Sequence, residues 1–465
     1  MQLSQEEEDY NRSLSKFESM IKTNKVLFFD SEEFEDIIMH YLDIGKTALA
    51  KKALKLGLEQ HPNSTGLKLV QVEMLIYDDK LEVAEKILND LYSIEPTNEE
   101  IYIQKANIHS KKDNHLKAVE YLKIALQYTE DFADVYNLLG MEYLFLDEVE
   151  LAKENFIKCL ESDQEEQASL YNVVYCFEFL SQNEQAIQYI NKYIDTNPYS
   201  EIAWHQLGRL HYGLKQYEQA LRAFDYATVI DDEFLGAFME KAKTLERLKR
   251  YLEAIENYNE TIRLDDPTSY ALLRIGKCYE KLGNNVKALQ FYNQTIHEDP
   301  LLDKGWIAMT DFYFRQKNNT KALHFLNKAI SIEEENKTYW KRYATITQAL
   351  NFFEESEYGY RKAIECGDNQ LDTWISWADS LQLLGEFDAI VQILFQASNY
   401  FPDNSEIEYR LAGIYFILNE KEKGIYYLSN ALREDYNNKK ILENKFPTVW
   451  EQKIVQEYVK MYRLQ

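Results

Sequence analysis

The sequence predicts an all-α protein built as one array of helical hairpins, and three observations predict it. A period of 34 residues runs through most of the 465-residue chain, with alanine at position 20 of the period nine times in succession: Ala50, Ala84, Ala118, Ala152, Ala186, Ala220, Ala254, Ala288 and Ala322. Prolines recur in one phase, Pro62, Pro96, Pro198, Pro300 and Pro402 at position 32 and Pro267 at 33. Only seven prolines and fifteen glycines punctuate the chain, so little linker is available, and its Leu, Ile, Ala, Glu, Lys and Gln content suits helices. Length alone suggests roughly three ordinary domains, and the unbroken period displaces that reading.

Taken in order, residues 1–30 precede the first repeat. Leu3, Tyr10, Leu14, Phe17 and Ile21 recur at helical spacing, which predicts an amphipathic helix covering the exposed first face. Glu6, Glu7, Glu8 and Asp9 then fall near its N-terminus and complement the helix dipole.

Repeats begin at Ser31 and restart at Thr65, Glu99, Ala133, Gln167, Glu201, Leu235, Ser269, Asp303, Lys337, Leu371 and Ser405, giving twelve over residues 31–438 without an insertion. Position 8 is small at Ala106, Gly140, Gly208, Ala242, Gly276, Ala344, Ala378 and Ala412, and position 24 is apolar or Tyr in all twelve. Small residues at 8 and 20 let two helices approach, and large ones at 4, 11 and 24 fill the space around them. Gly45, Gly283 and Gly385 at position 15 mark the turn between the helices, and the prolines stop the second helix from running into the next repeat. Each repeat is helix A, tight turn, helix B, joint. Residues 439–465 follow: a short helix before Phe446-Pro447, then a helix with Trp450, Ile454, Tyr458 and Met461 on one stripe, expected to lie over the last repeat.

Composition excludes several classes of function. The net charge of −26 and pI near 4.8 oppose non-specific attraction to nucleic acid or an anionic membrane. The charge is uneven: residues 1–234 carry 44 acidic and 22 basic side chains, whereas residues 235–370 carry 20 of each. The start, MQLSQEEEDY, lacks the basic and apolar regions of a signal peptide, and no apolar run approaches a membrane span, so a cytoplasmic location is expected. Most of the thirty-five tyrosines are accounted for as packing aromatics. Cys159, Cys176, Cys278 and Cys366 show neither a C-x-x-C pair nor zinc spacing and read as buried free thiols.

No catalytic, cofactor or metal site is expected. Gly45-Lys46-Thr47 resembles the end of a phosphate-binding loop, but His40 stands where that motif needs glycine. No H-E-x-x-H, G-x-S-x-G or G-x-G-x-x-G occurs, and His109 and His211 share position 11, a packing position. The 30 and 27 residues flanking the repeats are fewer than the ~50 that a catalytic domain normally needs.

The stretch Glu201–Phe234 carries Trp204 at position 4, Leu207-Gly208 at 7 and 8, Ala220 at 20, Phe224 at 24 and Ala227 at 27, and so resembles the tetratricopeptide (TPR) repeat. The whole chain resembles a long bacterial cytoplasmic array of that family. The resemblance implies a right-handed α-α superhelix that binds a protein or peptide partner, with positions 2, 5, 9, 12 and 13 of helix A facing a concave groove. Read at those positions, repeats 4 to 6 give an apolar and aromatic set, Met141, Leu144, Phe145, Tyr171, Tyr175, Phe179, His205 and Tyr212. From repeat 6 onward position 9 gives Arg209, Lys243 and Lys277, and position 13 gives Arg247, Lys281 and Arg315. Two ladders of positive charge are unexpected in so acidic a chain, and Glu246 and Glu280 at position 12 could instead neutralise them internally. The family's carboxylate clamp is absent: Asn107 fits it, but Ile103 and Leu138 stand where it needs Lys and Asn. The expected function is a protein-binding scaffold, with an acidic partner segment at the ladders. Single-stranded RNA binding and an accessory role beside a separate enzyme are the alternatives.

Overall fold

The computed structural model describes residues 5–23, 27–163, 166–265 and 268–463, and among them the regular structure is helical. Twenty-four helices form twelve antiparallel hairpins, from Ser31–Asp43 with Thr47–Gln60 to Ser405–Ile417 with Lys421–Glu434. Helix B starts at position 17 in every repeat, and helix A at position 1 in all but the fourth, where it begins one residue earlier at Phe132. Compactness divides the chain into two units, residues 1–232 and 233–465, with the division falling at the joint after the sixth repeat. The sequence period runs through that joint in register and gives no sign of it.

Local chemistry fixes the helix ends. At position 34 the side chains of Ser64, Asn98, Ser200, Thr268, Asn336 and Asn404 each accept a backbone N–H from the next helix A. Position 15 has positive φ in all twelve turns, yet only three carry glycine; Asp79, Asp113, Asp147, Ser181, Lys215, Lys249, Lys317, Asn351 and Asn419 hold the rest at φ of 54 to 63°. A reverse hydrogen bond from the position-16 N–H to the position-11 carbonyl imposes that geometry, as from Lys80 to Leu75 (2.8 Å) and from Arg250 to Leu245 (2.9 Å).

Packing follows the repeat. The nine alanines at position 20 and all twelve side chains at position 24 are buried. At the joints a large residue at position 4 donates to the carbonyl at position 32 of the preceding repeat: Tyr102 to Pro96 (2.7 Å), Trp204 to Pro198 (2.9 Å), Trp306 to Pro300 (2.9 Å) and Trp340 to Glu334 (2.7 Å). Joint and hairpin are thereby tied at one residue.

Both ends are covered by helices. In the first unit Gln5–Thr23 seats Phe17, fully buried, against Phe29, Phe34 and Tyr41, with Leu14 and Ile21 beside it. Leu3 and Pro267 lie outside the described residues, as do the side chains of Glu6 to Tyr10. In the second unit Phe446 is buried over Gly413, where a Cβ would lie 2.6 Å from its ring. The last helix, Lys453–Tyr462, corrects the expected stripe: Val455 and Val459 are its buried residues, Ile454 and Tyr458 flank them, and Met461 is exposed. The chain breaks at Glu451–Gln452, so Trp450 belongs to a separate turn, Pro447–Trp450, and the next helix presents a rotated face.

Candidate functional site

The second unit contains a cavity of about 640 Å³ on the A helices of repeats 7, 8 and 9, Leu235–Arg247, Ser269–Lys281 and Asp303–Arg315. Its lining includes Arg247, Arg274, Lys277, Lys281 and Arg315 together with Glu246, Glu280 and Asp311. Positions 9, 12 and 13 recur on one azimuth of successive A helices, so a 34-residue period stacks like residues into one wall.

Two similar charge networks build the walls. The Tyr258 hydroxyl donates to Glu246 (2.6 Å), and Arg274 of the next repeat forks onto the same carboxylate through Nε (2.8 Å) and Nη2 (2.6 Å). One period on, Tyr292 donates to Glu280 (2.7 Å), which also pairs with Arg315 of the following repeat. Burial, reinforced by the adjoining carboxylates, pushes both tyrosine pKa values far above the ordinary range. Burial opposes the charge of Arg274, but Glu246 and Tyr258 outweigh it and raise its pKa. Asp311 is bound from outside the cavity by Arg342 (2.6 Å).

Lys277 and Lys281 are different. Among the described residues neither ammonium has a hydrogen bond or an ion pair, although they stand four residues apart on one helix. Burial and then the charge of Arg274 lower the Lys277 pKa, and Glu246 and Asp311 only partly compensate. The site thus holds a half-buried cation without an ion pair among the described residues.

Four of the six cations named from sequence, Arg247, Lys277, Lys281 and Arg315, line this cavity. Lys243 does not; it pairs with Glu240 (2.8 Å) and lies 5.5 Å from the Tyr270 ring. Arg209 belongs to the first unit, where it bonds Gln206 (3.1 Å) and stands 3.8 Å from Glu178. Arg274 was not among the expected site residues, because it occupies position 6. A signal for it existed in the chain: Arg recurs at position 6 in alternate repeats as Arg274, Arg342 and Arg410, and each grips an acid of the repeat before it.

The first unit presents a second surface. Phe145 (60% exposed), Tyr175 (52%) and Phe179 (62%) stand out on the A helices of repeats 4 and 5 with Met141 and Tyr171, while Leu144 is half-buried. Phe145 stacks on His115 at 4.7 Å, and Tyr175 leans on Phe179 at 6.2 Å. Tyr212 is half-buried with its edge toward Tyr217. His205 departs from the expected exposed set: it is 8% exposed, with its ring 5.7 Å from Phe224, because position 5 in this repeat borders the buried ring at position 24.

Cys159, Cys176 and Cys278 are buried free thiols, and burial pushes Cys278 up to about 12; Cys366 is half-buried. Among the described residues no group of three His, Cys, Asp or Glu side chains could hold a metal, and no helix is long and apolar enough to cross a membrane.

Family models described as tetratricopeptide repeat match residues 99–132 and 133–166, and residues 205–267 and 239–302. A curated protein of Schizosaccharomyces pombe, anaphase-promoting complex subunit 3, is 26% identical over 140 residues, which are 30% of this chain and 21% of that protein. The chain thus matches about a fifth of that relative's length. Among solved structures, the C-terminal part of a TPR repeat-containing protein from Cytophaga hutchinsonii is similar over 52% of this chain and 99% of its own, at 16% identity and TM-score 0.42. A tetratricopeptide repeat protein from Parabacteroides merdae is similar over 50% of this chain and 93% of its own, at 19% identity and TM-score 0.37.

Proposed function

We propose that this chain, which matches tetratricopeptide-repeat models over residues 99–166 and 205–302, is a scaffold that holds a segment of a partner protein against its A helices. Acidic side chains of the partner enter the cavity of repeats 7 to 9, and apolar side chains dock on the exposed aromatics of repeats 4 and 5. Residues 31–438 form the binding array, and residues 1–30 and 439–465 cover its two ends. The observation that carries the reading is the pair Lys277 and Lys281, two cations without an ion pair on a cavity wall whose neighbouring charges are matched. Exposed aromatics are suited to partner contact, since they bring large contact area at small entropic cost. The curated relative is, by its name, a subunit of a complex, which accords with a role in holding proteins together.

The carboxylates interleaved on the cavity wall and the net charge of −26 argue against a polyanion such as RNA as the main ligand. Capture from a lysate of the source organism tests the proposal. Lys277→Glu combined with Lys281→Glu should release the partners that the wild-type chain retains, and Lys243→Glu, whose lysine is already paired and lies off the cavity, should retain them. Retention should also weaken between low and 0.3 M salt, a range in which the Debye length falls from about 30 to about 6 Å. Identical partner sets for all three proteins would sink the cavity reading.

A further inference from the structure

We infer that the cavity of repeats 7 to 9 is built for a dianionic phosphate carried on a side chain of the partner segment; this rests on the reading that the cavity receives an acidic segment. The valence follows from the lining. The carboxylates of the lining are already committed, Asp311 among them through Arg342. Arg274 is engaged by Glu246 and Arg315 by Glu280, while Lys277 and Lys281 have no ion pair. A carboxylate brings one negative charge, whereas a phosphate monoester brings nearly two above its second pKa of about 6, with three acceptor oxygens. Two lysines four residues apart on one helix face repel each other, and an anion shared between them removes that repulsion. Lys277 is also depressed in pKa by burial and by Arg274, and a bound dianion would favour its charged form.

The cavity favours one phosphate over a chain of them. Glu246, Glu280 and Asp311 stand in its walls, so the successive phosphates of an RNA strand would meet fixed carboxylates on both sides of the lysine pair. Tyr258 holds Glu246, Tyr292 holds Glu280 and Arg342 holds Asp311, so each carboxylate already has a partner other than Lys277. The lysines are thereby kept available.

The test uses the full-length chain with fluorescent peptide pools of random sequence around a central phosphoserine, aspartate or serine, and with a uridine hexamer RNA. At pH 7.5 the phosphoserine pool should bind at least tenfold more tightly than the aspartate pool, and the advantage should shrink at pH 5, where the phosphate loses its second charge. Lys277→Gln, and separately the exposed Lys281→Gln, should each lower phosphoserine binding about tenfold, the size expected for one charge-assisted hydrogen bond. Unchanged helical melting of both variants shows that the fold survives. Inorganic phosphate at millimolar concentration should compete only partly, since the peptide adds contacts of its own; complete displacement at equal concentration would identify free phosphate as the ligand and overturn the side-chain assignment. Equal binding of the phosphoserine and aspartate pools would overturn the phosphate inference and leave the acidic-segment reading standing. Failure of every peptide pool would overturn both, and preference for the RNA would replace them.

Discussion

Glu408 shows how much one residue can depart from the column it belongs to. It occupies position 4, which Tyr102, Trp204, Trp306 and Trp340 fill elsewhere, so a carboxylate sits where the array places a large ring. Burial, reinforced by Glu434 and Asp403, raises its pKa from 4.5 to about 7 against a hydrogen bond from Asn430 and the charge of Arg433, and its Oε2 has no hydrogen-bond partner. Its folded pKa lies above the unfolded one, so the folded state binds the proton first, and the resulting stability is lost as pH rises through about 7. Glu408→Gln, which mimics the protonated form, should raise stability at pH 8 by about 1–2 kcal/mol, discounted for partial exposure, and change it little at pH 5. Urea denaturation at the two pH values checks this; an equal effect at both would show that ionisation is not the cause. Position columns make the cations of the cavity legible in the sequence. They do not reveal the burial of His205 against Phe224 of its own repeat, or how far Arg274 reaches back to Glu246 of the repeat before it.

At the scale of the hairpin, close approach is set by pairs across its two helices. A Cβ added at Gly208 would lie 2.5 Å from the ring of Phe224; the same distance separates Gly140 from Phe156, and Gly276 would approach Tyr292 to 2.6 Å. In these three repeats glycine at position 8 makes room for the ring at position 24, whereas Tyr258 and Tyr360 share their repeats with Ala242 and Ala344. Gly208→Ala should cost about 1–2 kcal/mol, because overpacking outweighs the better helix propensity of alanine. Adding Phe224→Leu should make the double variant more stable than the two single effects imply, by about 1 kcal/mol of coupling. Additive losses in thermal unfolding would mean that the two residues do not share the contact. The hairpins themselves were legible because this pairing leaves small and large residues in fixed columns. The turns were legible only in part: nine of the twelve position-15 residues adopt the left-handed conformation without glycine, under the pull of the helix-end hydrogen bonds. That constraint comes from the backbone, so Ser181, Lys215, Lys249 and Lys317 adopt it beside the five Asp and Asn residues that favour it.

For the whole molecule the decisive feature is how charge divides between the two units. Residues 1–232 carry 43 acidic and 22 basic side chains, a net −21, whereas residues 233–465 carry 35 and 30, a net −5. Self-repulsion destabilises a compact state, and salt relieves it by shortening the range of the field. Raising sodium chloride from 0.01 to 0.3 M should therefore lift the unfolding midpoint of the first unit by several degrees more than that of the second. The chain carries its own reporter, because five of six tryptophans, Trp306, Trp340, Trp374, Trp377 and Trp450, belong to the second unit, with Trp204 alone in the first. Tryptophan fluorescence then follows mainly the second unit and far-ultraviolet circular dichroism follows both, so at low salt the dichroism transition should begin below the fluorescence transition and merge with it as salt rises. Coincident transitions at every salt concentration would show that the twelve repeats unfold as one cooperative system. The same salt increase should weaken partner capture at Lys277 and Lys281 while it stabilises the protein. Opposite responses separate screening of a binding charge from loss of the fold, which would move both measurements in the same direction.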